Sequence, residues 1–179
     1  KPPKKLSFLK SDSIDVVALL PAPPGRNSAE EKAELAMLEQ IQQSRTESDS
    51  ARAKAEEKFT VFAFNEVLGD WFKPDDLPLT QELFAKVEGD AKYFTSPAKE
   101  HFGRKRPPFI DNHLHAVVTL EDEPSYPSGH SARGWVDALI LAEIMPAQRE
   151  KLLKYGQEIG WDRVIGGVHY PSDVSAGRT

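Results

Sequence analysis

The sequence predicts an all-α fold, a helical bundle in a single domain, and three observations carry that prediction. The chain has 179 residues, within the ~100–200 of one domain. Apolar residues recur at helical spacing almost throughout, and few stretches show strand-like alternation. The breaks between those stretches carry helix-start residues such as Ser28, Thr80, Ser128 and Pro146. Composition narrows the class further. Lys and Arg number 23 and Asp and Glu 28, a net charge of −5. Mild acidity argues against a general nucleic-acid binder. With no cysteine, disulfide scaffolds, thiolate metal sites and cysteine nucleophiles are excluded together. The most apolar stretch, residues 135–145, is interrupted by Asp137 and Glu143 and is shorter than the ~18–20 residues of a membrane span.

Taken in order, residues 1–27 read as an extended arm. Lys1-Pro-Pro-Lys-Lys5 is basic, residues 14–20 are apolar, and Pro21-Ala-Pro-Pro-Gly25 forbids regular structure. Such an apolar run packs on its own domain or on a partner subunit. The rest, residues 28–179, is expected to form one domain. Ser28-Ala-Glu-Glu31 is a capping box that opens a helix through Ala33, Leu35, Leu38 and Ile41. A second helix is expected from about Ser50, with Ala55, Phe59, Phe62 and Ala63 on one face. A loop holds Trp71, and a third helix begins near Thr80 with the stripe Leu83, Phe84, Val87, Ala91 and Phe94. Ser96-Pro97 reads as the cap and first residue of another. Residues 109–127 lack any period and form a long loop, a rare feature that is often functional. Residues 128–145 are apolar nearly all round, which predicts a buried central helix. Pro146 opens the next, and Tyr170-Pro-Ser-Asp173 starts a last one.

Three places concentrate chemistry. Residues 99–106 hold four Lys or Arg against one Glu. Lys99 and Arg106 are seven apart, close to two turns and so nearly one face of a helix, with Pro107 fixing where the turn ends. They are suited to hold an anion, one as a point charge and the other as a bidentate fork, although a short basic run is ordinarily a solvated surface. Pro127-Ser-Gly-His130 stands where the buried helix begins: Ser128 is a good N-cap, Gly129 lets a backbone approach closely, and the helix N-terminus favours an anion beside His130. Arg163 falls on the apolar face of Leu152, Gly156 and Ile159, so it needs either an acidic partner or a bound phosphate. Gly156 and Gly160 would let another helix pack closely. His169 and Asp173 are four apart, the spacing at which a carboxylate orients an imidazole as nucleophile or base, or simply pairs with it. His101, His113 and His115 read as non-catalytic, with His113 or His115 a candidate for the site mouth.

Taken together, Lys99…Arg106-Pro107, Pro127-Ser128-Gly129-His130 and Arg163…His169…Asp173 resemble the three motifs of the type 2 phosphatidic acid phosphatase (PAP2) superfamily. The flanking text, including Leu19-Leu-Pro-Ala-Pro-Pro24 and Ser125-Tyr-Pro-Ser-Gly-His130, is most similar to its bacterial class A non-specific acid phosphatases. The resemblance runs from about Leu9 to the end of the chain. It implies the PAP2/vanadium haloperoxidase type of helical bundle and a phosphomonoesterase without metal or cofactor. In it, His169 attacks phosphorus and forms a phosphohistidine, Asp173 orients His169, and His130 protonates the leaving alcohol. Lys99, Arg106, Ser128, the Gly129 N–H and Arg163 hold the phosphoryl oxygens. It further implies transfer to alcohols as a side reaction, inorganic phosphate or vanadate as site ligands, a periplasmic or secreted bacterial setting with the signal peptide removed, and a possible homo-oligomer. A vanadate-dependent haloperoxidase and an inactive phosphate-binding module are the alternatives. Two departures stand out. The family usually has Ser before the third-motif arginine, where this chain has Asp162, a carboxylate that either competes with phosphate for Arg163 or points away. Its domain also continues past the last motif, so the chain is expected to be truncated at its C-terminus. Residues 109–126 and the loop near Trp71 are the candidates for the remaining pocket walls.

Overall fold

The computed structural model describes residues 6–179; the basic opening Lys1-Pro-Pro-Lys-Lys5 lies outside the described residues. Among the described residues there are helices and no strands. The longest are α2 (Ala29–Ser44), α5 (Pro78–Phe102), α6 (Gly129–Ile144) and α7 (Arg149–Ile165), with the shorter α1 (Val16–Leu19), α3 (Glu47–Ala55), α4 (Asn65–Leu68) and α8 (Pro171–Gly177). The centre is the α6–α7 pair. Helices α5 and α8 cover α6, and α2, α3 and α8 cover α7. Gly156 makes the central crossing possible. A Cβ there would lie 2.5 Å from the Ala138 Cβ and 2.7 Å from the Gly134 carbonyl oxygen, so the backbones approach as closely as the small-residue spacing predicts.

One core cluster joins Phe59, Phe62, Phe64, Phe72 and Phe84 to Leu141, Leu152 and Ile159 of the central pair. A second, of Leu38, Leu114, Val164, Tyr170 and Val174, seats α2 and α8 on α7. The arm folds back on its own chain. Leu20 is buried with Tyr126 and Ala176, the Tyr126 hydroxyl donates to the Pro21 carbonyl at 2.7 Å, and the Asp90 carboxylate accepts from the amides of Ser7, Phe8 and Leu9. The Val16–Leu19 turn, capped by Asp15, is regular structure where an extended run was expected.

The other differences from the sequence reading have local causes. The Glu31 carboxylate accepts from the Asn27 amide and not from Ser28, so the expected capping box is closed one residue earlier. The second helix starts at Glu47, capped by a reciprocal Thr46–Asp49 box, and ends at Ala55. Short 3-10 turns span Glu56–Lys58 and Val61–Phe64, with Phe59 and Thr60 extended between them. The expected helix is therefore broken, yet Phe59 and Phe62 still reach one core. Pro97 does not start a helix: it lies inside α5. It removes one donor, but the buried stripe Phe84, Val87, Phe94 and Ala98 runs straight across it, and packing outweighs the lost bond. Pro146 opens a 3-10 turn, Pro146–Gln148, that leads into α7.

Candidate active site

Helix α5 stops where Gly103 adopts the left-handed conformation, φ 57°, and the chain turns back. Lys99 and Arg106 therefore do not share a helix face. Arg106 is extended ahead of the Pro107–Phe109 turn, and it meets Lys99 because the chain reverses. The same turn places Arg104 inward. Ser128 caps α6, its Oγ accepting from the Ser131 amide, and its own amide donates to the Asp173 carbonyl at 2.9 Å. The Ser131 hydroxyl donates to the Val174 carbonyl at 2.7 Å. These bonds tie the N-terminus of α6, with Gly129 and His130, to α8, which carries Asp173 and follows His169.

The result is one pocket of about 170 Å³, with Lys99, Arg106, Gly129, His130 and His169 in its walls. Ser128, Asp173 and Arg163 stand behind them, fully or nearly fully buried. Residues 109–126 contribute Glu121 and Glu123 to the walls. The loop near Trp71 does not line the pocket, and neither do His113 and His115, whose backbone groups bond to Gln42 on α2.

Hydrogen bonding fixes the histidine tautomers. Arg106 Nη1 lies 3.1 Å from His169 Nε2, and a guanidinium can only donate, so Nε2 carries a lone pair. The ring proton then sits on Nδ1, 3.2 Å from Asp173 Oδ2. This is the tautomer a nucleophilic imidazole needs. His130 Nε2 faces the Glu57 carbonyl at 3.0 Å and donates to it, so Nδ1 is the nitrogen free to exchange a proton. Burial pushes His169 down to about 4 against the opposing pull of Asp173. Burial and then the Arg163 charge push His130 down to about 3. Both imidazoles are thus neutral in the free site. Burial works to raise the Asp173 carboxyl, but its bond to His169, the Arg104 charge and the Tyr170 amide outweigh it and hold it below the usual range.

Arg163 is 2% exposed, and its Nε and Nη1 have no hydrogen-bond partner among the described residues, so the acid-pair reading of this arginine does not hold. Asp162 turns the other way. Arg52 holds it in a bidentate fork, Nε to Oδ2 at 2.6 Å and Nη2 to Oδ1 at 2.8 Å, and the carboxylate does not compete for the pocket. Beside it, Glu56 is pushed up to about 8 by burial and then by the Asp162 charge, and it accepts from the Tyr155 hydroxyl.

Arg104 was not singled out in the sequence. It donates to Asp173 Oδ1, Ser172 Oγ and Glu34 Oε2, each at 2.7 Å, and its guanidinium lies 3.7 Å from the Tyr170 ring centroid. It anchors the carboxylate that orients His169. A cation two residues before the motif arginine was the available signal, but spacing alone does not distinguish it from Lys105, which is exposed.

The PAP2 superfamily model matches residues 88–179. A non-specific acid phosphatase of Providencia stuartii is 37% identical over 187 aligned positions, covering 97% of this chain and 74% of that protein. The chain belongs to the PAP2 superfamily. A non-specific acid phosphatase of Salmonella typhimurium is 38% identical over 120 positions, covering 64% of this chain and 48% of that protein, so the chain spans about half its length. Among solved structures, a bacterial vanadium-dependent iodoperoxidase has a TM-score of 0.66 at 19% identity, covering 91% of this chain and 50% of that one. A transmembrane PAP2-type phosphatidylglycerolphosphate phosphatase from Bacillus subtilis has a TM-score of 0.59 at 22% identity, covering 91% and 83%. These two share the fold. No helix of the described residues is long and apolar enough to cross a membrane.

Proposed function

We propose that this chain is an acid phosphatase that hydrolyses small phosphomonoesters through a phosphohistidine, without a metal. The observation that carries the reading is Arg163, a buried guanidinium with unpartnered donors within electrostatic reach of His130 and Arg106, in a site whose His169 is already held in its nucleophilic tautomer. His169 Nε2 attacks phosphorus, the ester P–O bond breaks, and the alcohol leaves with the proton of His130 Nδ1. Water then attacks the phosphohistidine, returns a proton to His130 and releases phosphate. Lys99, Arg106, Arg163, Ser128 and the Gly129 amide hold the phosphoryl oxygens. Phosphoryl transfer asks the protein chiefly for this positioning and charge stabilisation. Asp173 keeps the His169 proton on Nδ1. An alcohol in place of water would give phosphotransfer. A pocket of about 170 Å³ is below the ~300–1,000 Å³ of drug-sized sites and fits a small leaving group.

Kinship with bacterial acid phosphatases supports a periplasmic or secreted setting. Phe8, Leu9 and Leu19 expose apolar surface on the arm of residues 1–27, which supports contact with a second copy of the 28–179 domain. The test is hydrolysis of nitrophenyl phosphate with a chelator present, with an acid-labile phosphoenzyme trapped on His169. Activity that resists the chelator and vanishes in His169→Ala is expected. Loss of activity on chelation, or a phosphoenzyme that survives in His169→Ala, overturns the mechanism.

A further inference from the structure

The phosphate cradle has an acidic wall that the reaction above does not use. Arg106 Nη2 donates to Glu121 Oε2 at 2.8 Å, and Lys99 Nζ lies 3.5 Å from Glu123 Oε2. The backbone of the same segment holds both cations in place: Arg106 Nε donates to the Glu123 carbonyl and Lys99 Nζ to the Pro124 carbonyl, each at 3.0 Å. Both carboxylates line the pocket, yet their side chains are 50% and 64% exposed, so they stand at its mouth. Deeper in, the unpartnered Arg163 lies within electrostatic reach of Glu121 and Arg106, so the acidic wall sits over a cradle built for an anion.

A phosphoryl group bound there draws on Lys99, Arg106 and Arg163. The two glutamates then lose their cationic partners and face whatever the phosphate carries. The remaining charged groups of the pocket do not cancel them. Glu88 and Arg133 pair with each other at 2.6 Å. Lys92 stands two helical turns from Lys99 on α5, about 10 Å along the axis.

Resting on the phosphatase reading, we propose that Glu121 and Glu123 select the leaving group by charge. They favour phosphomonoesters of amino alcohols over neutral alcohols of the same size, and disfavour esters that carry a second anion. A protonated amine two carbons from the ester oxygen meets the freed carboxylates, whereas a carboxylate or second phosphate is repelled by them.

The experiment measures kcat/KM for 2-aminoethyl, 2-hydroxyethyl and carboxymethyl phosphate, in the wild-type chain and in Glu121→Gln/Glu123→Gln. Comparing ratios between the two proteins cancels the intrinsic reactivity of the leaving groups, as in a double-mutant cycle. The aminoethyl-to-hydroxyethyl ratio is expected to fall roughly threefold to tenfold in the double variant, as befits partly solvated charge contacts. The carboxymethyl-to-hydroxyethyl ratio is expected to rise by a similar factor. In the wild type, both ratios should move toward the variant's values in molar salt, where the screening length is about 3 Å. Ratios that are the same in both proteins overturn the proposal while leaving the phosphatase reading intact. A wild-type chain that hydrolyses none of the three esters overturns the reading and this inference with it.

Discussion

Arg163→Met separates the cost of the anion site from its use. The substitution keeps a long apolar stem on the face of Leu152, Gly156 and Ile159 and removes a guanidinium that is 2% exposed, with Nε and Nη1 unbonded. Leaving buried charged donors unsatisfied costs about 1–3 kcal/mol or more, so the ligand-free variant should be more stable than wild type by about that amount. For a chain of this length each kcal/mol moves Tm by roughly 2–4 °C, so the gain is about 2–12 °C. Vanadate or phosphate reverses the order. A ligand at a hundred times its Kd adds ~2.7 kcal/mol to the wild type by mass action, and adds nothing to a variant that has lost the site. The assay is thermal unfolding of both proteins over a vanadate series, in which the two Tm curves cross. A variant less stable than wild type without ligand would show that Arg163 has a structural partner. A variant that keeps the ligand-induced shift would show that Arg163 is not part of the anion site. Either result refutes the reasoning.

Arg104→Met removes the cation that shares Asp173 with His169. Asp173 then pulls harder on His169, whose protonation should begin about one pH unit higher, so the acid limb of kcat/KM moves toward neutral pH relative to wild type. Breaking the buried pair also costs about 3–5 kcal/mol, and Arg104→Lys should restore part of both effects; a lower Tm with an unmoved acid limb would make Arg104 structural only. Glu56→Gln tests the carboxyl that burial pushes up to about 8. Its folded-state value exceeds its ordinary 4.5, so the fold binds the extra proton and loses that stability as pH rises through about 8. The Gln variant should therefore match wild type near pH 4.5 and melt higher than wild type above about pH 8, and parallel Tm curves would count against it.

The parts of the site legible in the sequence were those in which one residue carries both identity and position. Ser128 and Gly129 begin a helix and must present amides there, and Arg163 on an apolar stripe demanded an anion. Distances between segments were not legible. Lys99 and Arg106 looked like neighbours on a helix, but Gly103 reverses the chain between them. Asp162 beside Arg163 looked like a competitor for phosphate, because the sequence does not show that Arg52, 110 residues earlier, turns it away. Glu121 and Glu123 sat in an aperiodic loop whose course is set by Arg104 and Arg106, through bonds to Ser125 and Glu123. The end of the second helix at Ala55, which leaves Phe59 extended, and the continuation of α5 through Pro97 were decided by tertiary packing, which overrides local propensity.

The charges of the free site also say when the proposed acid becomes an acid. His130 is pushed down to about 3 and His169 to about 4, so both are neutral in the free protein at mildly acid pH, and a protonated His130 beside a neutral His169 is not its resting form. Burial first and then the Arg163 charge lower the His130 value, and burial with the Arg106 and Lys99 charges opposes protonation of His169. In the proposed complex a phosphate ester neutralises those cations, including the Arg163 charge that bears on His130. Protonation of His130 and occupation of the cradle therefore favour each other, and the proton arrives with the substrate. The linkage runs in one direction with pH: as pH falls, the bound complex gains its proton before the empty site does. An acid optimum then follows from the complex and not from the free histidines. Burial, and with it the charge of the arginine that costs stability in the empty site, keeps the proposed leaving-group acid unprotonated until there is a leaving group to protonate.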